Sequence, residues 1–442
     1  MATMATIFAL LSCNSNDTTE VSATPNAIAN EATRTPFRVY SPQAAWPLSD
    51  SQRQQCIALN DFSLRLFRIL QEEGQSTLFS PLSLAYAMTM TGLACDGLPL
   101  QQLNTALGLP ADDTTTLHDL MASLMLGLPQ ADTKVSLNLA NAFYMNSSRS
   151  DVQINPDFQK ALLNIYKADC QSLDFAQQST LDYINQWCSQ QTMGFIPKVL
   201  DELDSSLISC LLNALYFKAD WMMPFFTDLT TEHTFTKEDG STVSVPMMRQ
   251  YETEEFPYFE DDLCQALRLP YADGNYGMTL LLPREGKTTG DVLDALTAER
   301  LTTLTKEMEY APVDMLIPRF ETHQTVRLIK GMRQMGLSSW FDGDNITGMV
   351  QGAGGTPHGV HIAEAFQVGR IKVNEKGTEA AAVTVFMFTD SAIIGEPRSF
   401  QADRPFVYLI TERDSGAILF VGTYHGEKSP ANDPTGIVPI RM

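Results

Sequence analysis

The stretch Val373–Asp390, VNEKGTEAAAVTVFMFTD, carries two local signals that disagree. Glu379-Ala380-Ala381-Ala382 favours helix by propensity, whereas Val383-Thr384-Val385-Phe386-Met387-Phe388 behind it favours strand. Such conflict counts against foldability unless the segment serves in more than one conformation. In an extended chain, Thr378, Ala380, Ala382 and Thr384 share one face with Phe386 and Phe388, while Glu379 lies on the other. Small side chains therefore lead, bulky ones follow, and Gly377 permits a bend at the start. An ordinary loop with a frayed helical turn explains neither the small-residue run nor the strand-prone tail.

The flanking sequence reads as an α+β protein, with helices dominating the first half and strands the second. Leu59, Phe62, Leu66 and Leu70 recur at helical spacing, with Ser51 as the expected cap and Gly74 beyond the end. LFSPLSLAYAMTMTGLACDG (Leu78–Gly97) predicts a short strand, then a helix apolar nearly all round and so interior. LISCLLNALYF (Leu207–Phe217) is an apolar run of strand length, covered on both faces, in which Asn213 must find hydrogen-bond partners on neighbouring strands. Leu267–Tyr271 and Met278–Pro283 predict paired strands, and Pro405–Tyr424 a hairpin turning at Asp414-Ser415-Gly416.

With 442 residues and 44% hydrophobic content the chain can bury a large core. Its 52 acidic against 30 basic residues, a net charge of -22, disfavour nucleic acid and anionic lipid surfaces as partners. A cationic partner is compatible with this balance, and a well-solvated surface is enough to explain it.

At the N-terminus, TIFALLSC (Thr6–Cys13) is a short apolar run ending in a small residue and a cysteine, followed by a polar, aperiodic tract. This resembles the end of a bacterial lipoprotein signal, with Cys13 as the acylated residue, although the first basic residue is Arg34 and the usual basic start is missing. A plain secretory signal or a non-functional leader are the alternatives. The run is too short to span a bilayer as a helix. The division that follows is a signal remnant over 1–13, a polar tether over 14–50, a folded domain over 51–428 and a C-terminal tail over 429–442. The expected location is extracytoplasmic, either as an outer-membrane or cell-surface lipoprotein or secreted. The other six cysteines, Cys56, Cys95, Cys170, Cys188, Cys210 and Cys264, form no CxxC pair and read as buried free thiols.

Signs of catalysis are missing from the sequence. G-x-S-x-G, H-E-x-x-H and G-x-G-x-x-G do not occur, and REGKTTG (Arg284–Gly290) has Leu281 where a phosphate loop needs its first glycine. His358 and His361 have ligand-like spacing but no acidic or thiol partner at a useful interval, so they read as loop histidines. Asp261-Asp262 reads as solvated turn charge. Neither an enzyme nor a cofactor or metal is expected.

Several motifs, in order, identify the chain as resembling a serpin from about Ser51 to Glu427. They are FSPLSLAYAM (Phe79–Met88), INQWCSQQTMGFI (Ile184–Ile196), LLNALYFKADWMMPF (Leu211–Phe225), LRLPY, IPRF (Ile317–Phe320), VNEKGTEAAA and FQADRPFVYLI (Phe400–Ile410). The resemblance implies three β-sheets, about nine helices and an exposed reactive centre loop over residues 375–399. It further implies a monomer whose partner is a target protease. In inhibitory members the protease cleaves the loop and becomes linked to it as an acyl-enzyme. The loop then inserts into the main sheet as a new strand and drags the protease with it, distorting the protease active site. The hinge maps onto Glu375, Gly377, Thr378, Glu379, Ala380, Ala381, Ala382 and Thr384, and the shutter and breach onto Ser80, Ser83, Asn213, Trp221 and Gln367. Gln367 stands where the family often carries histidine. Non-inhibitory members usually place bulky, charged or proline residues in the hinge, and none occurs between Gly377 and Thr384.

Counting forward from the hinge at the family's usual length puts the scissile bond at Ser391–Ala392. Counting backward from Pro405 puts it at Ile394–Gly395, because this loop is longer than common. The forward count is preferred, since the inserted length must match the depth of the sheet. The small and aliphatic residues there imply an elastase-like, subtilisin-like or papain-like target. The other reading, of a different class, is a non-inhibitory serpin acting as a binding or structural surface protein.

Overall fold

A computed structural model describes residues 2–13, 44–72, 74–110, 113, 115–251, 254–376 and 396–427. Among them are nine α-helices and two hydrogen-bonded strand assemblies.

The first helix, Asp50–Leu70, begins two residues earlier than the cap at Ser51 predicts. Ser49 is the cap: its hydroxyl accepts from the Gln52 amide, and the Gln52 side chain accepts from the Ser49 amide. This reciprocal pair satisfies two donors that a helix start leaves open, which Ser51 is placed too late to do. The tether boundary at residue 50 moves with it. Leu48 is buried, the Ala45 amide donates to the Ser123 hydroxyl at 3.0 Å, and the Trp46 ring lies over Gly127, where a Cβ has no room.

Every residue of the Pro81–Gly92 helix is buried, as its all-round apolar sequence requires. Ser80 caps it, accepting from the Ser83 amide at 3.2 Å, and Pro81 sits at the first turn, where its missing N–H costs nothing. The expected hairpins are present as Cys264–Tyr271 with Tyr276–Pro283 and Phe406–Glu412 with Ile418–Tyr424.

The main sheet has eight strands. Across it run Asp169–Leu173, Ser136–Asn146, Ser209–Ala219, Ala2–Cys13 and Pro357–Val373, with Phe320–Arg327 on the far side of the last. The second assembly has ten strands and joins what the resemblance separates into two sheets. Strand Glu309–Pro318 pairs with Glu255–Glu260 through its first residues and with Thr242–Arg249 through its last.

The apolar run Thr6–Cys13 lies within strand Ala2–Cys13 of the main sheet. His358 and His361 also belong to a strand, Pro357–Val373, and not to a loop. His361 pairs with Asp344 at 2.9 Å. Asp261 is more than a solvated turn charge, since it accepts from the Leu263 and Cys264 amides and pairs with Arg300 at 2.6 Å.

Candidate functional site: the strand slot and hinge of the main sheet

The site is the strand position between Ser209–Ala219 and Pro357–Val373. Ser209–Ala219 is mostly apolar on both faces because core lies on both sides of the sheet, and Asn213 is a buried polar residue in its middle. The Asn213 side-chain amide donates to Asn141 Oδ1 at 2.8 Å on the Ser136–Asn146 strand. The expected tie between neighbouring strands is therefore present, and it holds the sheet together on the side away from the slot.

On the opposite bank, Gln367 faces the start of the Pro81–Gly92 helix. Its Oε1 accepts from the Ser80 amide at 2.7 Å and its Nε2 donates to the Ser80 carbonyl at 3.1 Å, while the Ser80 hydroxyl donates to the Leu419 carbonyl at 2.7 Å. A side-chain amide meets a backbone donor and acceptor together, which a neutral imidazole ring cannot do with adjacent atoms. Ser83 is buried on the same helix, and its hydroxyl has no hydrogen-bond partner among the described residues. Ser80 and Gln367 are thus joined on one bank, while Asn213 stands on the other.

The expected hinge begins just beyond the end of the Pro357–Val373 strand. Trp221 stacks on Tyr271 with ring centroids 4.4 Å apart, and its indole N–H donates to the Asn374 carbonyl at 2.9 Å. The Phe225 amide donates to the Glu375 carbonyl at 2.8 Å, and the buried Glu375 carboxylate pairs with Arg319 at 3.3 Å. The base of the hinge is pinned by both backbone and charge. Gly377, Thr378, Glu379, Ala380, Ala381, Ala382 and Thr384, together with Ser391, Ala392, Ile394 and Gly395, lie outside the described residues. The chain returns as strand Arg398–Gln401, parallel to Glu309–Pro318, with Arg398 already opposite Val313. Arg398 is thus held in the sheet.

The slot itself is filled by Ala2–Cys13, antiparallel to both neighbours. Its register runs from Thr3 opposite Lys372 and Lys218 down to Ser12 opposite Ile362 and Ser209. Phe8 stands opposite both Gln367 and Asn213, so the strand separates the two banks at the shutter. Met4, Phe8 and Leu10 enter the larger core beside the Pro81–Gly92 helix. Ile7, Ala9 and Leu11 enter the smaller core with Ile184 and Trp187 of the Gln178–Gln191 helix. Burying Met4, Ile7, Phe8, Leu10 and Leu11 contributes about 1.5–3 kcal/mol each relative to exposure. Sequence reasoning missed this strand, although a continuous apolar run of strand length is the same signal that located Leu207–Phe217.

Among the described side chains the thiols are protonated and weak nucleophiles. Cys56, Cys188, Cys210 and Cys264 are buried and free, and Cys95 and Cys170 are half-buried. Burial pushes Cys56 and Cys170 up to about 12 and Cys264 up to about 11, so all three stay protonated at neutral pH.

The serpin (serine protease inhibitor) family model matches residues 57–426. The chain belongs to the serpin family. An uncharacterized serpin-like protein of Thermococcus kodakarensis is 30% identical over 406 residues, 90% of this chain and 92% of that protein. The leukocyte elastase inhibitor of Homo sapiens is 30% identical over 375 residues, 82% of this chain and 97% of that inhibitor. Among solved structures, the native state of tengpin, a thermophilic serpin, superposes with a TM-score of 0.76 at 26% identity, covering 89% of this chain and 99% of tengpin. Human thyroxine-binding globulin shares the fold at a TM-score of 0.70 and 24% identity, covering 85% of this chain and 100% of the globulin. Serpins are generally protease inhibitors and not catalysts.

Proposed function

We propose that this serpin is an irreversible, suicide-substrate inhibitor of serine proteases, and of papain-like cysteine proteases. The observation that carries the reading is the slot: a position beside the pinned hinge that holds a twelve-residue strand antiparallel on both sides. A sheet that accepts one foreign strand at this place has the geometry to accept another. The hinge sequence after Glu375 has the small side chains such a strand needs, since leading residues must pass between packed neighbours.

In this reading the protease nucleophile attacks the Ser391 carbonyl, the bond to Ala392 breaks, and Ala392 leaves with a free amine. The severed loop enters the slot from the Glu375 end before water releases the acyl group. Phe386 and Phe388 follow the small residues into the core, each contributing about 1.5–3 kcal/mol. With the new ladder hydrogen bonds the transition releases on the order of 10 kcal/mol, more than the roughly 5.5 kcal/mol that drives a two-state equilibrium from 1:99 to 99:1. Small and aliphatic residues around the bond suit an elastase-like, subtilisin-like or papain-like enzyme. The protein is read as a monomer, exported and held at the cell surface by a lipid on Cys13, or secreted.

Incubation of the chain beginning at Cys13, whose slot is open, with a protease panel, followed by denaturing electrophoresis, tests this. A stable complex, with the released fragment beginning at Ala392, supports inhibition. Clean cleavage by every protease with no complex refutes it and leaves a non-inhibitory surface serpin.

A further inference from the structure

We infer that the N-terminal strand Ala2–Cys13 is an intramolecular plug: it occupies the reactive loop's own strand position and keeps the full-length chain from trapping a protease until it is withdrawn. The inference rests on the proposed loop-insertion function for its consequence, but on the sheet alone for its geometry.

Three observations carry it. A strand position holds one chain, because each neighbour offers a single row of N–H and C=O groups along that edge, and Ala2–Cys13 uses both rows. Its direction is that of an incoming loop, since Thr3 lies opposite Lys372, next to the hinge, and Cys13 lies far down the sheet opposite His361. It also meets the demands of the slot on both faces, with no charged side chain over Ala2–Cys13 and Met4, Ile7, Phe8, Ala9, Leu10 and Leu11 all buried. Ser12 fastens its lower end, its hydroxyl 2.5 Å from that of Ser209 and its carbonyl accepting from the Ile208 amide at 2.7 Å. While the strand is in place, Phe8 stands between Gln367 and Asn213, and loop residues from Thr378 onward have no edge to join.

Leader removal supplies the release. Hydrolysis of the Ser12–Cys13 bond by a leader peptidase, with water providing the new carboxyl and amine, removes the covalent tether of Ala2–Ser12, which then leaves the sheet by dissociation and frees the chain beginning at Cys13 for acylation. Inhibitory competence is then acquired only on export.

The test compares the full chain, the full chain carrying Phe8→Asp, and a chain beginning at Cys13, each with and without a synthetic peptide of residues 2–13. Hydrogen exchange over Ser209–Ala219 and Pro357–Val373 reads the plug without any protease. Exchange there is expected to rise about tenfold or more in both altered chains, and the peptide is expected to restore protection to the shortened one. With an elastase, the full chain is expected to be cleaved as a substrate and the altered chains to form the denaturant-stable complex. Equal exchange in all three chains overturns the plug, as does a full chain that traps elastase as efficiently as the shortened one. If exchange changes as expected but no chain traps any protease, the plug stands and the inhibitory reading falls.

Discussion

Replacing Gln367 with leucine removes both hydrogen bonds to Ser80 while nearly conserving volume, so the shutter contact is isolated from cavity effects. The two losses are unequal. The Ser80 carbonyl keeps a partner, because the Leu84 amide donates to it at 3.2 Å, but the Ser80 amide is buried and loses its acceptor. An orphaned buried donor costs about 1–3 kcal/mol, and taking about 2 kcal/mol gives a factor of about 30 in the opening equilibrium at the start of the Pro81–Gly92 helix. The Ser83 and Leu84 amides report this opening by native-state hydrogen exchange, because the substitution leaves their own acceptors in place. Exchange at these two sites is expected to quicken about 30-fold, with little change in the distant Phe406–Glu412 strand. A change below about threefold refutes the assignment of Gln367 as the tie between sheet and helix.

Other perturbations have equally definite outcomes. Burial lowers His118 to about 4, and its Nδ1 lies 2.6 Å from the Tyr166 hydroxyl. Because the unfolded imidazole binds its proton first, stability is full above about 6.5 and falls by about 1.4 kcal/mol per pH unit until about pH 4, a loss of about 3 kcal/mol. His118→Gln is expected to flatten that part of a denaturation-versus-pH curve, and an unchanged slope contradicts the assignment. Gly127→Ala places a methyl group where the Trp46 ring lies, and is expected to displace that ring, shift tryptophan emission to the red and cost about 1–3 kcal/mol. In the chain beginning at Cys13, Thr378→Arg puts a charged, bulky side chain at the first position of the proposed insertion. It is expected to turn inhibitor into substrate, cutting the yield of stable complex about tenfold or more, and an undiminished yield counts against loop insertion.

Much of the fold is legible along the chain because its signals are local. Continuous apolar runs and turn signals located the Ser209–Ala219 strand and both hairpins, and all-round hydrophobicity made Pro81–Gly92 interior. Asn213 could be assigned partners in advance because a buried amide in an apolar strand has no alternative to hydrogen bonding. Misreadings arose where two local readings are equivalent. Ser49 and Ser51 are both good caps, and only Gln52 reaching back to Ser49 decides between them. His358 and His361 follow a glycine-rich tract that imitates a loop, but the tract ends at Thr356 and the long strand begins at Pro357.

The amino-acid order alone determined the family, the α+β character and the hinge composition, since propensity, periodicity and motif spacing are properties of neighbouring residues. Only the tertiary structure decided what Thr6–Cys13 does. An apolar run that would suit a cleaved leader also suits a strand buried on both faces, and the choice depends on whether the sheet leaves an edge on each side of it. That condition is met by Ser209–Ala219 and Pro357–Val373, far away in sequence. Hydrogen-bond rows and core volume at that distance have no local signature, so the competition for the slot becomes visible only when the strands are assembled.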